Sequence, residues 1–153
     1  MSMLPNWVRR EPEKYLKRLV FEAKMLETAF PGFRLMTERD VLFAEGDFVT
    51  ASRNRYHLRA YYPESYPYDP PSVAVTDADV VSYCGIRGAH GFHHYGYSEE
   101  MGGLKLCLLN AGDREGQGWL PDFSIVTVLN LAAAWLHAYE VKRLTGEWIL
   151  PEA

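Results

Sequence analysis

The chain is predicted to fold as an α+β domain in which a helix at each end flanks a run of short strands. Apolar residues recur at helical spacing over residues 12–30, and again over a long segment that reaches about residue 145. Between residues 33 and 76, short strand patterns alternate with turn signals. Strands that follow one another without helices between them favour an antiparallel meander over β–α–β units. At 153 residues the whole chain, 1–153, is expected to form a single domain with its own core.

Composition and charge exclude several classes of function. The formal net charge of −4 argues against nucleic acid as the main partner, because phosphate contacts require a basic face. No apolar run is long enough to span a membrane, and the start of the sequence lacks the pattern of a secretion signal. We therefore expect a cytoplasmic protein whose two cysteines, Cys84 and Cys107, are reduced.

Both long helices carry recognisable end signals. Pro12 suits the first position of the first helix, and Pro31-Gly32 ends it. Asp122 or Ser124 can cap the second helix, and Gly146 ends it. In the first helix the apolar face comprises Leu16, Leu19, Val20, Ala23, Leu26 and Phe30, and the polar face comprises mainly Lys14, Lys17, Arg18, Glu22 and Lys24. We expect the lone His137 to be structural, and Trp148 to fold back onto the body of the protein.

The strand region ends in a segment rich in tyrosine and proline. Its candidate strands are Phe33–Thr37, Val41–Phe43 and Phe48–Ala51 around a Glu45-Gly46-Asp47 turn, Tyr56–Tyr61, and Val73–Thr76. Residues 61–71 read Y-Y-P-E-S-Y-P-Y-D-P-P, in which prolines exclude a helix or a strand interior. The tyrosines of this segment are compatible with a docking face. A packed surface loop is favoured, because a loop of this length needs its rings for packing.

Residues 84–123 hold most of the polar chemistry of the chain. Glycines at six positions between residues 85 and 103 predict an irregular loop, and this loop also carries His90, His93, His94, Tyr95, Tyr97, Glu99 and Glu100. Cys107 follows among leucines and precedes a glycine-rich polar excursion that Trp119-Leu120-Pro121 closes. A thiol held rigidly beside a polar loop is typical of a nucleophile, although many buried core cysteines share this pattern.

Taken together, these motifs resemble the ubiquitin-conjugating enzymes. The resemblance rests on a helix, a four-stranded meander, Y-P-Y-D-P-P, an irregular loop, G-L-K-L-C-L, W-L-P and a final long helix, in that order. It covers essentially the whole chain and implies the ubiquitin-conjugating-enzyme-like fold. The ending Y-E-V-K-R-L-T-G-E-W-I-L-P-E is similar to the conjugating-enzyme-like proteins of bacterial antiphage (CBASS-type) operons, which act on a cyclic-oligonucleotide synthase.

The resemblance implies that Cys107 is the nucleophile that forms a thioester. Family members usually carry His-Pro-Asn shortly before the cysteine, and its asparagine supports the oxyanion; this tripeptide is missing here. The bacterial relatives use a histidine in this place, so His93 or His94 is expected to support the oxyanion or orient the incoming amine. Asn110 and Asp113, just after the cysteine, are further candidates.

The partners follow from the chemistry that the chain lacks. No Walker-type Gly-Lys-Ser/Thr and no dinucleotide-binding glycine cluster is present, and we expect no cofactor. A separate ATP-dependent activating enzyme must therefore supply the activated C-terminus of the protein to be conjugated. The resemblance points to a cyclic-oligonucleotide synthase as the conjugated protein, and a lysine amine or another nucleophile would be the acceptor.

Three other interpretations remain open at this point. A zinc site could be built from Cys84, His90, His93, His94 and Cys107, although their spacing matches no standard structural zinc site. A cysteine hydrolase would combine Cys107 with a histidine and an acid. A catalytically inactive interaction module of the same fold is the third, although such modules generally lack the cysteine.

Overall fold

The computed structural model describes residues 4–85, 94–109 and 118–150 and shows an α+β architecture, as predicted. A short 3₁₀ helix, Val8–Arg10, precedes the first long helix. The elements that follow are α1 (Pro12–Ala29), β1 (Arg34–Glu38), β2 (Val41–Val49), β3 (Arg55–Tyr61), β4 (Ser72–Val75), α2 (Ala78–Gly85), β5 (His94–Ser98), β6 (Gly103–Leu106) and α3 (Ile125–Thr145).

The ends of α1 and α3 confirm the sequence signals. Pro12 is the first residue of α1. The first amides of a helix have no acceptor within it, so the missing amide hydrogen of proline costs nothing there. Ser124 is the N-cap of α3: its hydroxyl accepts from the amide of Val126, while the Thr127 hydroxyl accepts from the Ser124 amide. Gly146 ends α3 with φ of 82°, the left-handed conformation in which glycine costs least.

The turn predicted at Glu45-Gly46-Asp47 is wrong, because β2 runs through it without interruption from Val41 to Val49. Gly46 has a different purpose. A Cβ atom at this position would lie 2.7 Å from the side chain of Phe33 and 2.8 Å from the carbonyl of Gly32, so only glycine lets β2 pass this close to the end of α1.

Among the described residues, the sheet has six strands in the order β1-β2-β3-β4-β6-β5, and every neighbouring pair is antiparallel. The predicted four-stranded meander is present as β1–β4, but the described sheet contains two further strands, β5 and β6. The loop predicted from residue 84 onward in fact contains the end of α2 and the strand pair β5–β6. Leu104 pairs with Val75, which places β6 beside β4 and carries Cys107 to the end of the sheet.

One face of the sheet forms the core with α3. Alternate side chains of β3, β4 and β6 point into it and meet buried residues of the helix; they are Leu58, Ala60, Val73, Val75, Leu104, Leu106, Val128, Leu129, Ala132, Trp135 and Leu136. The tail also returns to this core, since Trp148 packs edge-on against Trp135 at 5.5 Å between ring centroids. The predicted folding back is confirmed for Trp148; Ile149 is exposed, and residues 151–153 of the predicted tail lie outside the described residues.

The tyrosine-rich segment packs as predicted. Tyr62 and Tyr66 are buried and surround Trp7, with ring centroids 5.8 Å and 5.0 Å from its ring. Tyr68, in contrast, is 54% exposed. Most of the aromatic surface of this segment therefore stabilises the fold.

Candidate active site

Cys107 lies immediately after β6, at the end of a well-anchored strand. Leu104 and Leu106 of β6 are buried in the core, so Lys105 and Cys107 alternate toward the other face of the sheet. The side chain of Cys107 is half-buried. A rigid strand thus holds this thiol where a reagent can reach it.

The strand beside Cys107 contains a β-bulge. His94 pairs with Leu106 and Tyr97 pairs with Leu104, so two residues of β5, Tyr95 and Gly96, stand opposite Lys105 alone. Gly96 has φ of 85°, a left-handed conformation that favours glycine. Bulges bend a strand and redirect its side chains.

Tyr95 lies on β5, beside the strand that leads to Cys107. Its side-chain interaction with Cys107 and, second, its burial raise the pKa of Tyr95 to about 12, so its hydroxyl keeps its proton at physiological pH. The ammonium group of Lys105 lies 5.3 Å from the centroid of the Tyr95 ring, on the opposing strand.

Of the two histidines predicted to support the oxyanion, His94 is the one that the structure describes. It pairs with Leu106, the residue before Cys107. Its ring has a defined role in the bulge, because Nδ1 accepts the amide hydrogen of Gly96 at 2.9 Å. This contact places the proton of the neutral imidazole on Nε2. His93, Asn110 and Asp113 lie outside the described residues, so their roles stay predictions.

The other thiol has a different environment. Cys84, in α2, is fully buried, and burial raises its pKa to about 12 against a weaker opposing effect of Arg143. A thiol that keeps its proton at neutral pH is a poor nucleophile. Cys107 is thus the accessible thiol of the two.

A buried carboxylate holds together the elements on the other side of the core. Glu22 of α1, expected on the polar face, is fully buried. Its oxygens accept from the hydroxyls of Tyr62 and Tyr66 at 3.0 and 2.7 Å, from Arg18 at 2.9 Å, and from the amide of Ile125 at 2.8 Å. Because Ile125 opens α3, the negative charge lies at the positive end of that helix. We call this group the Glu22 junction.

The chain that returns from the Cys107 loop toward α3 is anchored beside the Glu22 junction. The indole of Trp119 is 9% exposed, and its Nε1 donates to the carbonyl of Pro67 at 2.7 Å. Its ring also meets Phe123 at 5.6 Å. Arg18 donates to the carbonyls of Pro121 and Phe123. The prediction that Trp119 closes the loop by packing is supported by this burial.

The described residues also bear on His137 and on the zinc hypothesis. His137 accepts from the amide of Ala51 at 3.3 Å and packs edge-on against Phe48, which agrees with a structural role. Within residues 4–85, 94–109 and 118–150, no group of three or more His, Cys, Asp or Glu side chains could hold a metal ion. His90 and His93 of the zinc hypothesis lie outside these ranges.

The sequence did not single out Tyr95. It was recognised as part of a polar, glycine-rich segment, but that segment was taken for an irregular loop. The alternation His94-Tyr95-Gly96-Tyr97-Ser98 was a weak strand signal, obscured by the surrounding glycines. Its pairing with β6 depends on contacts that no local pattern encodes.

The fold and the half-buried thiol together define an α+β protein with a nucleophile candidate just after β6, an inner strand of its sheet. Comparison with protein families is more specific: the model of the Type II CBASS E2 protein family matches residues 22–153. The chain belongs to this family, and is thus an E2-like protein of bacterial CBASS antiphage systems. Searches of curated proteins and of solved structures found no match.

The family also bears on the partners of the protein. Membership implies that the protein works within a CBASS conjugation system. None of the helices in the described part of the chain is long and apolar enough to cross a membrane.

Proposed function

We propose that the protein is a cysteine acyltransferase that carries the C-terminus of a partner protein as a thioester on Cys107. The observation that carries this proposal is the contrast between the two thiols. Cys107 is half-buried, whereas Cys84 is fully buried and retains its proton. Membership of an E2 family supports the same chemistry.

The reaction has two transfers. In the first, the Cys107 thiolate attacks the carbonyl carbon of an activated C-terminus, and the activating group leaves with its electron pair. In the second, an amine attacks the thioester carbonyl, the C–S bond breaks, and the sulfur leaves as thiolate while the amine loses a proton. An amide or related bond joins the C-terminus to the acceptor.

Activation itself must occur elsewhere. The sequence contains no Walker-type Gly-Lys-Ser/Thr motif, so a separate ATP-dependent activating enzyme supplies the first acyl group. The conjugated C-terminus is that of a partner in the CBASS system, and a cyclic-oligonucleotide synthase is the candidate that we favour. The transfer takes place in the cytoplasm and needs no cofactor on this chain.

The oxyanion of each tetrahedral intermediate requires a hydrogen-bond donor. His93 and His94 are the candidates that stand in place of the missing asparagine, with Asn110 and Asp113 as alternatives. For His94 the support is its position, because it is paired with Leu106, the residue before Cys107.

The test combines the purified protein with the proteins encoded beside it and ATP, followed by a non-reducing gel. We expect an adduct that a reducing agent removes and that Cys107→Ala abolishes. Cys84→Ala is the matched control and should form the adduct normally, because Cys84 is buried away from the reaction. Cys107→Ser should form an oxyester that survives reduction, which identifies the bonded atom.

Other outcomes separate the alternatives. Loss of the adduct in Cys84→Ala but not in Cys107→Ala would overturn the assignment of the nucleophile. Cleavage of a peptide or thioester without any accumulated adduct would indicate a cysteine hydrolase. An interaction with the partners that survives Cys107→Ala, with no adduct in the wild type, would indicate an inactive binding module.

A further inference from the structure

We propose that the protein forms a symmetric dimer through the outer side of β1, where Arg34–Glu38 pairs antiparallel with the same strand of a second copy. The pairing is centred on Met36 and joins the two sheets edge to edge. Neither the sequence motifs nor the family match assign a role to this strand. The proposal is independent of the proposed function, because Cys107 follows β6, four strands away from β1 in the sheet order.

β1 lies at one border of the sheet and has an open side. Within residues 4–85, 94–109 and 118–150, its strand partner is β2 alone. All five residues of β1 pair with β2 in an uninterrupted register, from Arg34 with Glu45 to Glu38 with Val41. A regular border strand of this kind presents unpaired backbone groups to another extended chain.

A tight turn sets the register of β1. Arg39 and Asp40 form the two-residue turn to β2, and both have positive φ, at 51° and 67°, as in the turns that match the twist of a hairpin. The carbonyl of Asp40 accepts from the amide of Asn6 at 2.7 Å, and its carboxylate lies 3.5 Å from the Arg9 guanidinium. The turn is thus held from outside the hairpin, and the border strand is fixed in place.

The hydrogen-bonding pattern leaves two residues of β1 with outward backbone groups. In a two-residue hairpin the pair that flanks the turn is hydrogen-bonded, and hydrogen-bonded and non-bonded pairs then alternate along the strands. Leu35 and Thr37 are therefore the residues whose amide and carbonyl groups point away from β2. The carbonyl of Leu42, opposite Thr37, agrees with this pattern, because it accepts from the amide of Tyr62 on the other side of β2.

A second copy of β1 fits these outward groups. When two copies run antiparallel about Met36, Leu35 of each lies opposite Thr37 of the other, so the outward groups meet in two hydrogen-bonded pairs. Arg34 then lies opposite Glu38 of the second copy, and the two-fold symmetry repeats this pair at the other end. Opposite charges that face each other across two strands stabilise the pairing, and side chains are closest in the non-bonded pairs.

The charges of β1 lack partners within the chain. Arg34 and Glu38 are exposed, and neither forms an ion pair with another described residue. Beside Arg34 on β2 is Glu45, whose carboxylate lies 3.1 Å from Arg59 of β3. In the joined sheets the signs of charge therefore alternate from Arg59 through Glu45 and Arg34 to Glu38 of the second copy. This complementarity favours a second copy over an extended chain of unrelated sequence.

The same face of the sheet carries an apolar row that a second copy extends. Met36 is 38% exposed and lies opposite Phe43, which in turn stacks on Tyr61 at 4.9 Å between ring centroids. At the centre of the dimer, Met36 meets Met36 of the second copy and is covered from its open side. The flexible thioether of methionine suits such a contact between like residues.

The first test is sedimentation of the whole chain from about 1 µM to 1 mM, because we expect a reversible dimer within this range. The mass should rise from 17.5 kDa toward twice that value. Glu38→Arg places arginine opposite Arg34 at both ends and should weaken the dimer by about tenfold or more. Glu99→Arg is the matched control. It makes the same charge change at an exposed residue between β5 and β6, at the opposite border of the sheet, and should leave association unchanged.

A mixture of two variants tests the register. Arg34→Glu alone should weaken the dimer as Glu38→Arg does, because it sets carboxylates opposite each other. In an equimolar mixture both pairs regain opposite charges, so dimers with one copy of each variant should form about as well as wild type. Misfolding of either variant cannot produce this recovery. Failure of the mixture to recover would overturn the pairing, as would a wild type that stays monomeric or a dimer that neither change weakens.

Amide hydrogen exchange, measured residue by residue by NMR, provides an independent readout. In the monomer the amides of Leu35 and Thr37 face outward, whereas the amide of Met36 is bonded to β2. We expect exchange at Leu35 and Thr37 to slow by about tenfold as dimers form, with little change at Met36. Equal behaviour of all three amides would overturn the assignment to β1. Protection of these amides in a monomeric sample by an added partner protein would give the border a different occupant and overturn the dimer.

Discussion

The Glu22 junction and the end of β6 hold the two most distinctive polar groups of the molecule in opposite ways. The Glu22 carboxylate is fully buried and accepts from donors on α1, the tyrosine-rich segment and α3. The Cys107 thiol is half-buried and lies just after the last residue of β6.

This difference shows where the molecule places stability and where it places reactivity. A buried charge is tolerated only when hydrogen bonds satisfy it, and the burial of Tyr62 and of Tyr66 raises the pKa of each hydroxyl so that both remain donors. A reactive thiol needs access to a reagent and few fixed neighbours. We therefore expect changes at the Glu22 junction to alter unfolding, and changes at the end of β6 to alter rates.

The largest effect on stability is expected from Glu22→Ala. This change leaves the Arg18 guanidinium and the Tyr62 and Tyr66 hydroxyls without their acceptor, and should lower the free energy of unfolding by about 3–5 kcal/mol. Chemical denaturation is the measurement. Glu27→Ala, an exposed carboxylate of the same helix, is the control and should change stability by less than about 0.5 kcal/mol. Equal stabilities of the two variants would contradict the role of the junction.

Trp119→Ala should also destabilise the protein by about 3–5 kcal/mol. The change removes a buried indole, its contact with Phe123 and its hydrogen bond to Pro67. Leu120→Ala is the neighbouring control, because Leu120 is 52% exposed. An unchanged melting temperature in Trp119→Ala would show that loop closure does not depend on this ring.

For the histidines, the expected effect is on rate. One of His93→Ala and His94→Ala should load normally but discharge its thioester about 10²–10³-fold more slowly, because the oxyanion loses a donor. The other should change discharge little, because its imidazole only holds the loop or faces solvent. Single-turnover discharge of pre-loaded protein decides between them. Normal discharge in both variants would exclude the oxyanion role and direct attention to Asn110 and Asp113.

The smallest effect concerns acid stability at Glu140, far along α3. Burial raises its pKa, but hydrogen bonds from Asn54, Tyr56 and Thr50 outweigh burial, so the pKa lies below the ordinary value of 4.5. The unfolded chain therefore takes up the proton first, and the stabilisation is full above pH 4.5 and lost as the pH falls through the folded pKa.

Glu140→Gln tests this effect. It should lower stability by about 1 kcal/mol near pH 7, and the difference from wild type should shrink below about pH 4.5. Thermal unfolding across that range measures it. A difference that stays constant with pH would show that the hydrogen bonds do not favour the ionised carboxylate.

The sequence predicted those parts of the fold that local signals determine. Pro12, Ser124 and Gly146 mark helix ends through their own backbone preferences, and the structure confirms all three. Gly46 misled because a glycine that permits close approach looks in sequence like a glycine that makes a turn. The burial of Glu22 was missed because Tyr62, Tyr66 and Ile125, three of its four partners, lie 40 to 103 residues away.

The candidate site was only partly predictable for the same reason. Cys107 could be found from its motif, since the leucines around it signal an anchored strand. The strand β5 beside it could not, because its pairing with β6 includes a one-residue offset. Such an offset arises from pairing between strands and from the positive φ of Gly96, and neither is visible in the order of the residues alone.

The bulge in β5 also has a consequence for self-association. In the sheet as described, β5 is the outermost strand, and β6 is its partner on the inner side. A flat outer strand offers unpaired backbone groups to any other extended chain, including a second copy of the same protein, and bulges are one way in which natural sheets prevent this. The extra residue in β5 makes this border of the sheet a poor template for pairing with another chain.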